Sequence, residues 1–381
     1  TFDAQTSASL TGSTSSDGFT NAGTYIRSSN SSTTNIFAPF DNSGALDVQL
    51  GGISFRSAAA TSSGSINVAT DARLLVQDGT LTLAPSTTWT GDGEVNITRG
   101  RLSANADITV GSLGLNQSSS SSSSSSLAIL GGSGTVTVSG PFNWTRGRME
   151  GEGTLITTGD STLSTTGNME LRRSIDNSGT VTWDSGSIIT SGSPTYTNLS
   201  GGVFNIQSNL SFSGGIFNNE GTFINASGTG STSFSAQFNS SGTTEVQSGT
   251  IRFSAGGINT GQLQVETDAT LQNSSGVFQL ESGSTWSGGG SLAVSSGSLQ
   301  VNTDITVQDL SLGSSSSARL SGSGDITVGG TFDWSGGRLE GTGTLITTGD
   351  SNFSGSTKTI ERSVENQGDV TWTSGSIQKS G

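Results

Sequence analysis

The densest grouping of acids and bases in the chain is Arg146, Arg148, Glu150 and Glu152, echoed by Arg338 and Glu340. On an extended backbone, alternation places Arg148, Glu150 and Glu152 on one face. Such a face is either a sugar or ion site or a ladder of surface charge pairs, each worth roughly a few tenths of a kcal/mol. The spacing favours the ladder. Arg172-Arg173 and Glu361-Arg362 read the same way.

Glycoside hydrolysis asks for two carboxylates roughly 5 to 9 Å apart. Asn302-Thr303-Asp304 matches the Asn-Thr-Asp of the pectin-hydrolase pattern, but the Asp-Asp pair and the Gly-His-Gly of that pattern are missing, as is every His. The corresponding segment Asn105-Ala106-Asp107 has lost the Thr. A polar turn ahead of the Ile305/Val307 strand accounts for the motif. Ser-His or Cys-His nucleophiles are excluded by composition, since Cys is also absent. Gly91-Asp92-Gly93-Glu94 and Gly159-Asp160-Ser161 set oxygen ligands beside turns, but no repeated calcium nonapeptide surrounds them. Gly288-Gly289-Gly290 lacks the lysine of a phosphate loop. No catalytic, cofactor-binding or metal-ligating residue is assigned, and no cofactor is expected.

Six Trp fall into three equivalent pairs, Trp89/Trp286, Trp144/Trp334 and Trp183/Trp372, which predicts packing at fixed positions of a repeat in preference to sugar stacking. Thr-x-Thr pairs at Thr80/Thr82 and Thr135/Thr137 do not recur often enough for a flat ice-matching array. Asn-x-Ser/Thr sequons at Asn30, Asn96, Asn143 and Asn352 are what chance supplies in so Asn- and Ser-rich a chain.

The elements that position these residues are legible from composition and period. Of 381 residues, 57 are Gly, 29% are hydrophobic and 12% charged. A large central core is excluded, and helices are disfavoured by Gly, Ser, Thr and Asn. Disorder is opposed by alternating apolar bursts such as Gly179-Thr180-Val181-Thr182-Trp183. The net charge of −14 argues against nucleic acid and anionic membranes as partners. Membrane insertion is not expected, because no apolar stretch is long enough to span. No signal peptide is visible.

The chain is one unit written twice. Trp144–Ser161 and Trp334–Ser351 agree at fourteen of eighteen positions. Arg173-Ser174-Ile175-Asp176-Asn177 pairs with Arg362-Ser363-Val364-Glu365-Asn366, and Phe2-Asp3-Ala4-Gln5 resembles Phe204-Asn205-Ile206-Gln207. Copy one is placed at 1–202 and copy two at 203–381, as one continuous solenoid. Their largest difference is the serine run Ser118–Ser126, read as a loop. The chain stops near where a third copy would begin, which predicts two units of a longer array.

Inside each copy runs a shorter period. Asn-x-Gly-x-apolar-x-apolar, often with one extra residue, recurs at Asn21, Asn42, Asn177, Asn198, Asn219, Asn239, Asn259 and Asn366. Large-x-Gly-x-Gly-x-apolar recurs at Trp89, Leu130, Met149, Trp286, Leu320 and Leu339. A period near 20 residues with short strands is a solenoid coil: one coil cannot bury its few inward side chains, but stacked coils make a continuous narrow core. The fold expected is all-β, a right-handed parallel β-helix with coils of about 20 residues.

On the Asn-x-Gly-x-apolar rungs and the segment Trp334–Leu345, the chain resembles the β-strand repeats of bacterial surface proteins of the autotransporter and filamentous-haemagglutinin-like kind. That resemblance implies a secreted or surface-tethered parallel β-helix and carries over no functional residue. The expected function is an extracellular structural or adhesive rod, as the stalk of a surface adhesin or a subunit of an extracellular fibre. Its expected partners are its own kind, end to end or in a longer covalent array, and surface glycans. The alternative is a carbohydrate-binding or polysaccharide-cleaving β-helix.

Overall fold

The structure, a computed structural model, describes residues 1–12, 17–56, 59–117 and 127–379; the expected loop at Ser118–Ser126 lies outside them. Among the described residues there is no helix, and the strands are short and pair in parallel. The chain forms two compact units, Thr1–Tyr196 and Thr197–Gly381. Each is a parallel β-solenoid.

In the first unit a typical coil contributes three strands, one to each of three faces, and in one coil a single strand, Phe142–Met149, serves two of them. One coil is Ala45–Val48, Gly51–Phe55 and Ala60–Ser62; the next is Ser65–Val68, Ala72–Val76 and Thr80–Leu83. They stack in register: Leu46 opposite Ile66, Ile53 opposite Leu74 and Ala60 opposite Leu81. A hydrogen bond from one coil to the equivalent position of the next spans 20 or 21 residues, the period legible in the sequence. Alternation does the rest. In Glu94–Ile97 the side chains of Val95 and Ile97 point inward and are fully buried, while Glu94 and Asn96 face out.

The second unit repeats this arrangement. Thr222–Phe234 and Thr243–Phe253 each run across two faces, bending midway, where the register between them shifts. Phe217, Phe223, Phe234, Phe238 and Phe253 fill the centre, with Phe238 stacked 4.5 Å from Phe253 and Phe253 stacked 5.2 Å from Phe278. A narrow core of this kind needs only a few apolar side chains per coil, which is why 29% hydrophobic residues suffice.

The Gly-x-Gly motif is explained at the corners. A Cβ on Gly151, whose φ is +101°, would stand 2.2 Å from the Gly132 carbonyl oxygen one coil below. On Gly153 it would stand 2.0 Å from the Gly134 oxygen. Gly341 over Gly322 and Gly343 over Gly324 repeat the arrangement in the second unit. The first glycine of each pair is held by backbone conformation and by space, and the second by space alone.

Candidate functional site

The Arg/Glu grouping resolves into a network that ties coil to coil. Ile129 and Arg148 are register partners on adjacent strands, as are Arg148 and Glu170. Arg101 pairs with Glu150. Arg148 lies 3.5 Å from Glu150 and 2.7 Å from Glu170, and Arg172 lies 3.1 Å from Glu170. The second unit repeats it more loosely, with Glu340 3.4 Å from Arg319 and 3.9 Å from Arg338, and Arg338 3.9 Å from Glu361. Among the described residues Arg146 and Glu152 stand outside the network. Burial pushes the Glu150 carboxyl up, but Arg101, Arg148 and Arg172 outweigh it and hold the group below the usual carboxylate range. The surface ladder expected for Arg148, Glu150, Arg338 and Glu340 is what forms. Its carboxylates are engaged by guanidinium groups.

Arg173 and Arg362 differ from the expectation of a solvent-facing charge. Both turn inward, with only 1% and 3% of their surface exposed. Arg173 donates to the carbonyls of Gly132 and Thr154, each at 3.3 Å, and to that of Gly134. Arg362 donates to the carbonyl of Gly324. Each guanidinium therefore sits against the Gly-x-Gly corners of the coils beneath it, at a place that only glycine leaves open: a Cβ on Gly153 or Gly343 would meet the terminal nitrogen of Arg173 or Arg362 at 2.5 or 2.6 Å. Burial lowers the Arg173 pKa to about 10, still charged at neutral pH. Burial lowers Arg362 too, against the pull of Asp325. Arg27 and Lys358 follow the same rule. Arg27, fully buried, reaches the carbonyls of Ala4 and Ser32 at 3.0 Å. The Lys358 ammonium donates to Ser354 and, at 3.1 Å, to Ser356. The sequence held a signal for the two repeated arginines: each follows two Gly-x-Gly corners, Arg173 20 residues after Gly153 and Arg362 19 residues after Gly343.

The Asn rungs form buried ladders. Asn21 Nδ2 donates to Asn42 Oδ1 at 2.7 Å and to the Ala45 carbonyl at 2.8 Å; Asn42 continues to Ser62 and the Ser65 carbonyl. In the second unit Asn198 donates to Asn219 at 2.9 Å, and Asn219 to Ser240 at 3.1 Å and to the Thr243 carbonyl at 2.9 Å. Asn259 donates to Ser284 at 3.0 Å. The Asn-x-Gly motif alone does not fix which residue enters the ladder. Asn239 is not a ladder residue; Ser240 takes that place, and Asn239 faces outward to Asn218 at 3.0 Å. The one extra residue in that rung decides the matter, because a slip of one position sends a strand side chain to the opposite face. Asn225 and Asn273, buried and bonded to the carbonyls of Ser248 and Ser296, make further amide corners that the Asn-x-Gly pattern did not include.

The Asn-Thr-Asp match is a turn. Asp304 Oδ1 accepts the Asp325 N–H at 2.8 Å, and Asn302 donates to Glu281 at 2.8 Å. Asp107 accepts the Thr135 N–H at 2.7 Å in the other copy. Trp144, Trp183 and Trp334 are fully buried, Trp89 and Trp286 half-buried, and Trp372 exposed. The Thr pairs build no continuous rank: Thr82 stands between Thr61 and Ser103, and Thr137 between Thr109 and Ile156. Of the sequons, Asn30, Asn143 and Asn352 are exposed, and Asn30 Oδ1 accepts from Arg27 at 2.8 Å.

One cleft was not foreseen. On the first unit Asp71, Arg73, Asp92 and Glu94 line a depression of about 350 Å³. The matching positions of the second copy are Asp268, Thr270, Gly289 and Ser291, so most of its charge is not repeated. Among the described residues no three acidic side chains converge on a point that could hold a metal ion, and no helix is long and apolar enough to cross a membrane. Comparison with known proteins finds no matching family model, curated sequence or solved structure.

Proposed function

We propose that the chain is an extracellular structural or adhesive element of the autotransporter and filamentous-haemagglutinin-like kind, the stalk of a surface adhesin or a subunit of an extracellular fibre. One observation carries this reading: the side chains best equipped for chemistry are engaged in joining coils. Glu150 and Glu340 are paired to arginines, Arg173 and Arg362 face carbonyls, Asp107 and Asp304 accept backbone N–H groups, and the inward Asn residues bond to one another. A sequence that commits its charges and amides to the stack has length and surface as its products.

Antibody labelling of intact source cells, with and without permeabilisation, tests the location. Reducing-sugar release from a panel of acidic and neutral polysaccharides tests the enzymatic alternative. Labelling of intact cells without sugar release is the expected result. Labelling only after permeabilisation, or catalytic release of reducing ends, overturns the proposal. The cleft at Asp71, Arg73, Asp92 and Glu94 is the feature that favours the carbohydrate-directed reading. If that reading holds, Asp92→Asn abolishes the release.

A further inference from the structure

The outward side of one face differs in chemistry between the two copies. In the first unit Thr20, Asp41, Thr61, Thr82 and Ser103 stand opposite one another on successive coils. Their sequence equivalents in the second unit are Asn218, Asn239, Ile258, Gln279 and Gln300. Four of the five short polar side chains have become amides. Asn218 lies opposite Asn239, Ile258 opposite Gln279, and Gln279 opposite Gln300. At a coil spacing of about 4.8 Å the strip runs roughly 19 Å along the stack. Two aliphatic groups join it: Ile258 is 42% exposed, and Val277, which stands where the first copy has Thr80, is 45% exposed.

The backbone opens in the middle of this strip. Gln237–Ser240 and Gly257–Asn259 share one register pair, Ser240 opposite Asn259, where the equivalent strands of the first unit share three. Gly256 and Gly257 have φ of +74° and +143°. A Cβ on Gly257 would stand 1.8 Å from the Phe238 oxygen, whereas the first copy has Ala60 in that place. The Ile258 N–H leaves the ladder and donates to Asn239 Oδ1 at 3.3 Å. Irregularities of this kind re-aim side chains. This one leaves a depression of about 330 Å³ lined by Asn218, Glu220, Gln237, Asn239 and Ile258. Asn239 Nδ2 donates to Asn218 Oδ1 at 3.0 Å and fixes the two amides side by side. Among the described residues the Asn218 amide nitrogen and the amides of Gln279 and Gln300 have no hydrogen-bond partner.

We propose that this strip of the second unit binds an uncharged, linear polysaccharide lying along the stack. This names the ligand class and the face for the adhesive form of the proposed function, and it rests on that form. Amides both donate and accept, which suits neutral hydroxyl groups. Ile258 and Val277 offer aliphatic surface to the C–H face of a sugar ring, and contact removes that surface from water. No lysine or arginine lines the depression, and the charged group that does, Glu220, is acidic. With a net charge of −14 on the chain, uronic and sulfated sugars are repelled. The amides recur from coil to coil, so a longer sugar chain meets more of them and affinity grows with its length.

Isothermal titration of the full chain with cellohexaose, maltohexaose and mannohexaose, and with hexagalacturonate as the acidic counterpart, tests this. Binding of at least one neutral hexaose, weaker binding of its disaccharide and none of hexagalacturonate are expected. Two variants locate the site. Ile258→Asp places a charge on the exposed aliphatic patch. The triple variant Asn218→Thr, Gln279→Thr and Gln300→Ser gives the strip the residues that the first unit holds in the same places, so the coil accepts them. Each is expected to weaken binding about tenfold or more. Far-UV circular dichroism and urea midpoints confirm that both variants are folded. No binding of any neutral hexaose, tighter binding of hexagalacturonate, or neutral binding that both variants leave unchanged overturns the inference. A chain that labels intact cells and binds none of these sugars loses the site and keeps the structural reading. A chain that binds a neutral hexaose through Ile258 but is found only inside cells keeps the site and loses the extracellular reading.

Discussion

Arg173→Met removes a buried guanidinium while keeping most of its volume. Of its three acceptors, the Gly132 carbonyl retains the Gly153 N–H at 3.3 Å and the Thr154 carbonyl retains the Val136 N–H at 2.9 Å. The Gly134 carbonyl takes its hydrogen bond from Arg173. The substitution therefore leaves one buried carbonyl unpaired, at about 1–3 kcal/mol, and weakens two others. Relief from burying a charge works in the opposite direction, by an amount that reaches about 1–4 kcal/mol where an entire buried ion network is replaced. Here the acceptors stay behind, so the carbonyl side is expected to win by about 2 kcal/mol. Urea unfolding followed by Trp emission reports it, because Trp144 and Trp183 are buried in the same unit. Arg362→Met is the internal replicate in the second unit. Since the partners are carbonyls and not carboxylates, raising the salt concentration should leave the loss unchanged. An Arg173→Met chain as stable as the wild type, or more so, would refute the reasoning: desolvation would then outweigh the carbonyl bonds.

Gly153→Ala drives a methyl to within 2.0 Å of the Gly134 oxygen and should lower the unfolding free energy by about 3 kcal/mol or more, whereas Gly23→Ala, with nothing within 4 Å, should stay within about 0.5 kcal/mol of wild type. Asn219→Leu takes a donor from the Ser240 hydroxyl and the Thr243 carbonyl, while the Asn198 amide keeps the carbonyls of Gly202 and Thr222, and should cost about 1–3 kcal/mol by the same urea assay. Glu150→Gln tests the surface ladder. The folded-state pKa of Glu150 is depressed, so its contribution is present above the ordinary carboxylate range and fades as pH falls through that depressed value. The paired side chains are partly exposed and solvent still screens them, so the wild type should exceed the variant by about 1 kcal/mol at neutral pH and low salt, with the gap closing in acid or in 1 M salt.

Much of this molecule follows from short-range pattern. Alternation at Thr80–Leu83 and Glu94–Ile97 states which side chains point inward, since in a strand the period of two leaves no other choice. The recurrence of Asn and of Gly-x-Gly near every twentieth residue states that strands stack as coils, because only stacking buries so few apolar groups. What the sequence could not decide is which polar residues join the core. Arg173 and Arg172 are neighbours of one type, yet one reaches buried carbonyls and the other a half-buried carboxylate at the surface. That depends on glycines two coils away, which leave room beneath one side chain and not the other. Asn239 and Ser240 differ for a related reason: one inserted residue fixes the face, and only the register with Asn219 shows where the insertion falls. Local periodicity thus determined the fold by itself, while the destination of each charge and amide was settled by contacts between coils, where the chain returns to the same place every twenty residues or so.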